Sequence, residues 1–268
     1  MYNLIKHSLT RPGSFGFGFF ACLLLLNASF SACKASKTSE LTIAAASSMQ
    51  FAIEDMVVQF TKETGINAKL ITGASGMLTS QIREGAPYHL FLSADKTYPE
   101  YLAANGFSSE RPSTYAMGEL VFWTTTQTTV PEISRLPVNA NLQLAIANPE
   151  TAPYGKAAVQ ALKFFGMYSS LEKQLVYGQS ISQTNQFIIT GAVYGGFTAK
   201  SVVMAPVLKD KGVWKPVSAE AYSPIEQAMI ILRSDPATEK KAIAFKEFLF
   251  SSTGRRILEN YGYVPVKY

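Results

Sequence analysis

The chain has 268 residues, 47% of them hydrophobic and 16% charged, with 24 Lys and Arg against 19 Asp and Glu. That composition describes a folded chain with room for one large domain or two lobes, and too few charges for a disordered one. Two Cys and two His in the whole sequence leave too few ligands for a closed metal site, a disulfide framework or a His-dependent catalytic design.

Residues 1–32 read as an export signal. Lys6, His7 and Arg11 form a basic start, Phe15 to Leu26 is apolar, and Ala28-Ser29-Phe30-Ser31-Ala32-Cys33 is a small-residue exit. The apolar run has about a dozen residues where about 20 are needed to span a bilayer, and Gly16 and Gly18 dilute it. Cleavage before Cys33 leaves its thiol at the first mature position, where bacterial lipoproteins carry lipid. Ordinary cleavage without lipid is the alternative, and Phe30 departs from the usual Leu-type residue. Removal of the signal takes Lys6, Arg11 and Cys22 with it, leaving 22 basic residues against 19 acidic and no partner for an intrachain disulfide. The remaining basic residues are scattered, in short pairs such as Lys240-Lys241 and Arg255-Arg256, so no stripe suited to nucleic acid is present. Residues 33–40 are small and polar, a tether.

Alternating strands and helices follow. Leu41 to Ala46 is too apolar for a one-sided surface strand and predicts a buried one. Ser47-Ser48 offers an N-cap, and Met49, Phe51, Ala52, Met56 and Phe60 recur at helical spacing until Gly65 stops the helix. A strand is predicted over Asn67 to Thr72, then Gly73-Ala74-Ser75-Gly76 leads into a helix from Met77 to Glu84. Leu90 to Leu92 is a third strand, and Thr97 to Asn105 a helix ending at Gly106. This order predicts a parallel sheet covered by helices. Further strands are predicted at Glu119 to Thr124, Gln143 to Ala147, Gly196 to Val203 and Ile225 to Leu232. Helices are predicted at Gly155 to Phe165, Ser182 to Thr190, Glu239 to Phe250 and Thr253 to Asn260. Two α/β halves place ligand chemistry in the crevice between them.

Enzymatic signatures are weak. Gly73-Ala74-Ser75-Gly76 is not Gly-x-Ser-x-Gly, and a hydrolase using Ser75 would have to recruit His89, the sole mature His, at the start of an apolar strand. Gly191 to Gly196 lacks the dinucleotide spacing, and no Walker A sequence occurs. Several strand-to-helix turns instead end in hydroxyl or small residues: Ser47-Ser48, Ser75-Gly76, Tyr154-Gly155 and Ile181-Ser182. Such residues serve as caps. Equally, helix N-termini present free N–H groups and the positive dipole end to an anion.

The segments Ala44-Ala45-Ala46-Ser47-Ser48, Gly73-Ala74-Ser75-Gly76, Asn148-Pro149-x-x-Ala152-Pro153-Tyr154-Gly155 and Gly178-Gln179-Ser180-Ile181-Ser182-Gln183 carry a family resemblance. With Gly85-Ala86-Pro87, Leu90 to Asp95 and the closing Tyr261-Gly262-Tyr263, the chain from Leu41 onward resembles the molybdate-binding proteins of bacterial molybdate ABC transporters. The resemblance implies an α/β, type II periplasmic binding protein fold, two lobes with a ligand cleft between them. Lobe I would comprise 41–118 and 225–268, and lobe II 119–224. It implies capture of molybdate, with tungstate alongside, for an ABC permease and its ATPase, by an exported periplasmic monomer, lipid-anchored at Cys33, that needs no cofactor and performs no catalysis. Binding of another oxyanion such as sulfate, an exported serine hydrolase, and a non-binding structural lipoprotein are the alternatives.

The resemblance also implies the ligand set. Ser47 and Ser75 would donate through hydroxyl and backbone N–H, and Tyr154 and Ile181 through backbone N–H. A fully deprotonated oxyanion only accepts hydrogen bonds, so a site made of donors suits it, whereas a protonated phosphate calls for an acceptor. Some family members add a Tyr hydroxyl from the strand holding Gly196-Phe197-Thr198-Ala199. Here that position is Ala199, and Tyr177 or Tyr154 is a candidate replacement. Tyr194 stands where an acidic residue is expected before Gly195-Gly196.

Overall fold

In the computed structural model, which describes residues 40–139 and 141–266, the apolar run Leu41–Ala46 forms strand β1, buried at every position but Thr42. The expected signal peptide, Cys33 and the expected tether up to residue 39 lie outside the described residues. A 3₁₀ turn at Ser47–Met49 leads into α1 (Gln50–Thr64), whose buried Ala52, Ile53, Met56 and Phe60 share one face. Gly65 ends it at φ 71, its N–H bonded to Thr61 O, the left-handed stop that glycine takes at little cost. There follow β2 (Ala68–Gly73), α2 (Ser75–Arg83), β3 (Leu90–Ser93), α3 (Thr97–Ala104), β4 (Ser113–Gly118), β5 (Leu120–Thr124) and β6 (Leu144–Ala147). Next come α4 (Pro153–Phe164), α5 (Tyr168–Leu171), β7 (Leu175–Gly178), α6 (Ile181–Ile189), β8 (Gly195–Ala199), α7 (Lys200–Val203) and β9 (Val213–Pro216). The chain closes with β10 (Ile225–Ile231), α8 (Pro236–Phe250), α9 (Ser252–Asn260) and β11 (Val264–Pro265).

The strands form two sheets, ordered β11-β4-β10-β3-β1-β2 and β7-β6-β8-β5-β9. The chain leaves the first sheet at Gly118, enters the second two residues later at Leu120, and returns over 217–224 to β10. This is the two-lobed α/β architecture that the resemblance implies. The parallel pairing expected from the order of the first three strands is found, and later strands make both sheets mixed. β2, β1 and β3 run parallel, while β10 is antiparallel to β3 and β4, and β11 to β4. In the second sheet β6 is parallel to β7 and β8, and β5 is antiparallel to β8 and β9. The strands that run against their sheets are β5 and β10, each entered directly from a crossing, and the short closing β11. The strand expected over Gly196 to Val203 also stops early, at Ala199, and Lys200 turns into α7 with its ammonium on Glu119 at 2.6 Å.

Each sheet has its own core. Phe60 of α1 meets Phe245 and Phe248 of α8 edge-on at 5.1 and 5.6 Å, clamping two helices over the first sheet. Phe122 and Phe197 do the same within the second at 5.2 Å. Truncating one such fully buried ring costs about 3–5 kcal/mol. Among the described residues no helix is long and apolar enough to cross a membrane.

Candidate functional site

β1, β2, β3, β6 and β7 all point their carboxyl ends at one crevice, the place where open α/β sheets bind ligands. Four helices begin there. The 3₁₀ turn leading into α1 supplies Ser47 and Ser48, α2 supplies Ser75, α4 supplies Pro153 and Tyr154, and α6 supplies Ile181. All six line a single cavity of about 190 Å³ total empty volume, together with small residues such as Ala46, Gly73, Ala74 and Ala94. Ser47, Ser75, Tyr154 and Ile181, set apart by as many as 134 positions in the sequence, are therefore brought to one place. No charged side chain lines it. Charges of both signs stand in the adjoining opening, with Asp95, Lys96, Lys156 and Glu226.

The serines do not serve as caps. Ala46 and Ala74 occupy the N-cap positions, and neither turn carries a side-chain cap bond. The expectation that Ser47-Ser48 caps the first helix is thus corrected, since both residues sit inside the 3₁₀ turn. Ser75 Oγ accepts from Ala94 N–H at 3.1 Å, which fixes the rotamer and leaves the hydroxyl proton to point elsewhere. At α4, Pro153 takes the first helical position and has no N–H, so Tyr154 brings the first free donor of that helix. Gly155 allows the helix to start so close, because any Cβ there collides with Ala147 O and lies 2.7 Å from Ala147 C. At α6 the cap is Ser180, whose hydroxyl accepts from Gln183 N–H, and Ile181 follows with its own N–H at the helix start.

Hydrogen bonds tie the two sheets' elements together around the cavity. Gly76 N–H donates to Thr151 O at 2.9 Å, Ser182 Oγ to Gln50 Oε1 at 3.2 Å and Ser201 Oγ to Ser48 O at 2.6 Å. Tyr263 Oη adds contacts to Ser201 Oγ at 3.0 Å and Ser48 O at 3.2 Å, and burial pushes its hydroxyl pKa up to about 12.

Ala199 is fully buried at the end of β8 and offers no donor. Tyr177 does not replace it, for its side chain is exposed and outside the cavity lining. The Tyr154 hydroxyl is buried without a hydrogen-bond partner and packs against Gly118 instead. Sequence reasoning passed over Ser48. It lines the cavity, and its Oγ is buried and unpartnered, which is the state of a donor that meets a ligand. The second serine of Ser47-Ser48 was a visible signal, absorbed by the capping reading. Asp95, next to Ala94, has its carboxyl pKa raised by burial against the hydrogen bonds from Tyr98 N–H and Ser93 Oγ. His89, the base a Ser75 hydrolase would need, accepts from Thr42 N–H through Nδ1 at 2.9 Å, and burial lowers its pKa.

Comparison with known proteins gives the family. Residues 41–264 match the family model described as bacterial extracellular solute-binding protein. The molybdate-binding protein ModA of Azotobacter vinelandii is 36% identical over 246 residues, 90% of this chain and 96% of the relative. That of Rhodobacter capsulatus is 34% identical over 84% of this chain and 88% of its own length. The solved structure of the Azotobacter vinelandii periplasmic molybdate-binding protein superposes with a TM-score of 0.80 at 31% identity, over 85% of this chain and all of that one. The sulfate-binding protein SubI of Mycobacterium tuberculosis, at 12% identity and a TM-score of 0.69, shares the fold alone. The chain therefore belongs to the bacterial extracellular solute-binding proteins, in the family of the molybdate-binding proteins.

Proposed function

We propose that this protein captures molybdate, and tungstate by the same chemistry, and delivers it to an ABC-type permease driven by a separate ATPase. The observation that carries the reading is a cavity, at the start of four helices, that holds hydroxyls and free N–H groups but no charged side chain. Ser47 and Ser75 donate from lobe I (41–118 and 225–268), and the N–H groups of Tyr154 and Ile181 from lobe II (119–224). The Ser48 hydroxyl supplies the donor that Ala199 lacks. A dianion held this way is stabilised by four helix dipoles and by charge-assisted hydrogen bonds, with no countercharge to release. A hydrogenphosphate would place its proton among donors, with no acceptor to receive it.

The same chemistry admits sulfate, so anion size decides between the two. A hydrolase at Ser75 is not favoured, because His89, the base it would need, is engaged at Thr42 and stands outside the cavity lining. We further propose export to the periplasm as a monomer, with signal cleavage before Cys33 and lipid on that thiol. Thermal unfolding tests the binding reading. An anion present at 100 times its dissociation constant adds about 2.7 kcal/mol to the native state, so molybdate raises the melting temperature and phosphate at equal concentration does far less. Equal shifts, or none, would refute it.

A further inference from the structure

Tyr154 does two things at once. Its backbone N–H opens α4 at the cavity, while its ring, 1% exposed, runs to the other end of a buried path and sets its hydroxyl against Gly118. Gly118 is the last residue of β4, one residue from β5, and pairs with Ile225 at the start of β10. These are the two places where the chain crosses between the sheets, and Leu120 N–H donating to Tyr222 Oη at 3.1 Å ties one crossing to the other. A Cβ built on Gly118 collides with Tyr154 Oη, stands 3.2 Å from Tyr154 Cζ, and lies 2.8 Å from Gln227 Nε2. Gly118 is therefore glycine for space, the socket into which the hydroxyl fits. The hydroxyl makes no hydrogen bond there. Burial pushes the Tyr154 hydroxyl pKa well up, and Tyr263 Oη, which also contacts Ser201 Oγ and Ser48 O, faces it closely enough to add to that rise.

We propose that the Tyr154 side chain is a strut between the hinge and the anion site, with Gly118 as its socket, so that the position of the crossing strands sets the position of the N–H that meets the anion. The inference rests on the reading of the cavity as an oxyanion site. It makes Tyr154 a positioning residue through its side chain as well as a donor through its backbone. The contact with Gly118 is steric, because a glycine Cα offers the hydroxyl no acceptor, and filling the socket displaces the ring and the start of α4 with it.

A double-substitution cycle with Gly118→Ala and Tyr154→Phe, read by calorimetric titration with molybdate, tests this. Gly118→Ala should weaken molybdate binding by about tenfold or more in the wild-type background, and by several-fold less in the Tyr154→Phe background, where the colliding oxygen is gone and the end of the Gln227 side chain is left to give way. Tyr154→Leu, which keeps the N–H but is too short to reach the socket, should weaken binding about tenfold as well. Small-angle scattering with and without molybdate should show the compaction on binding reduced in Gly118→Ala and restored in the double variant. Equal costs of Gly118→Ala in the two backgrounds would overturn the strut. If Gly118→Ala does not fold, wild-type affinity in Tyr154→Leu would overturn it instead. A wild-type protein that gives no molybdate heat removes the oxyanion reading itself, and the strut with it.

Discussion

Ile181→Pro deletes one donor and disturbs little else. Ile181 is the first residue of α6, and proline is favoured there because its φ suits the helix and the N–H it lacks has no acceptor within the helix. The preceding Ser180 has φ −152 and ψ 171, the extended conformation that a residue before proline requires. Ser180 Oγ still accepts from Gln183 N–H, so the cap survives. The substitution shortens a side chain that is 3% exposed, a loss that Ile181→Val controls for at about 0.5–1.5 kcal/mol of fold stability. A hydrogen bond to a charged group contributes about 1.5–3 kcal/mol, so the proline variant should bind molybdate roughly ten- to 150-fold more weakly. Ile181→Val, which keeps the N–H, should lose no more than about threefold. Isothermal calorimetry on variants whose circular dichroism matches wild type makes the comparison. Equal affinities for the two variants would refute the assignment of the Ile181 N–H as a ligand.

Three other outcomes are expected. Ser47→Ala, Ser48→Ala and Ser75→Ala should each weaken molybdate binding by about ten- to 150-fold with the fold intact, measured by the same titration. His89 has a folded-state pKa lowered by burial, so it binds fewer protons folded than unfolded and its contribution to stability is lost as pH falls below about 6.5. The melting temperature should therefore drop between pH 7.5 and 5, and His89→Gln, which keeps an acceptor for Thr42 N–H but does not titrate, should flatten that slope. Cys33→Ser should move the protein from the membrane to the soluble fraction and remove any lipid mass from the mature N-terminus.

The elements legible in the sequence were those with a strong period or a clear stop. β1 was read residue for residue because six apolar or small side chains are bounded by Glu40 and Ser47. α1 was read to its end because Gly65 halts a regular apolar stripe. The strands without an unbroken apolar run were not legible. β4 reads Ser-Thr-Tyr-Ala-Met-Gly, and its pairing with β10 shifts register between Gln227 and Ala228, so no alternation survives. β7 is an edge strand of four residues with Tyr177 exposed, and β11 has only two residues. For α8 the signal was present but unused, since Asp235 and Pro236 cap and open it three residues before the expected start at Glu239. At the site, residue types and helix starts were readable, and the resemblance supplied the four candidate ligands. Their convergence was not, for it depends on which strands neighbour each other across two crossings. Nor was the role of Gly118, which reads as an ordinary turn glycine until the Tyr154 ring is seen to end on it.

The central claim is that an uncharged set of donors selects a fully deprotonated tetrahedral oxyanion. Calorimetric titration of the mature protein with molybdate, tungstate, sulfate and phosphate, at one pH and ionic strength, tests it most directly. The expected result is one molybdate per chain, tungstate bound comparably, sulfate weaker through its smaller size, and phosphate weakest. Phosphate bound as tightly as molybdate, or no saturable molybdate heat at all, would contradict it.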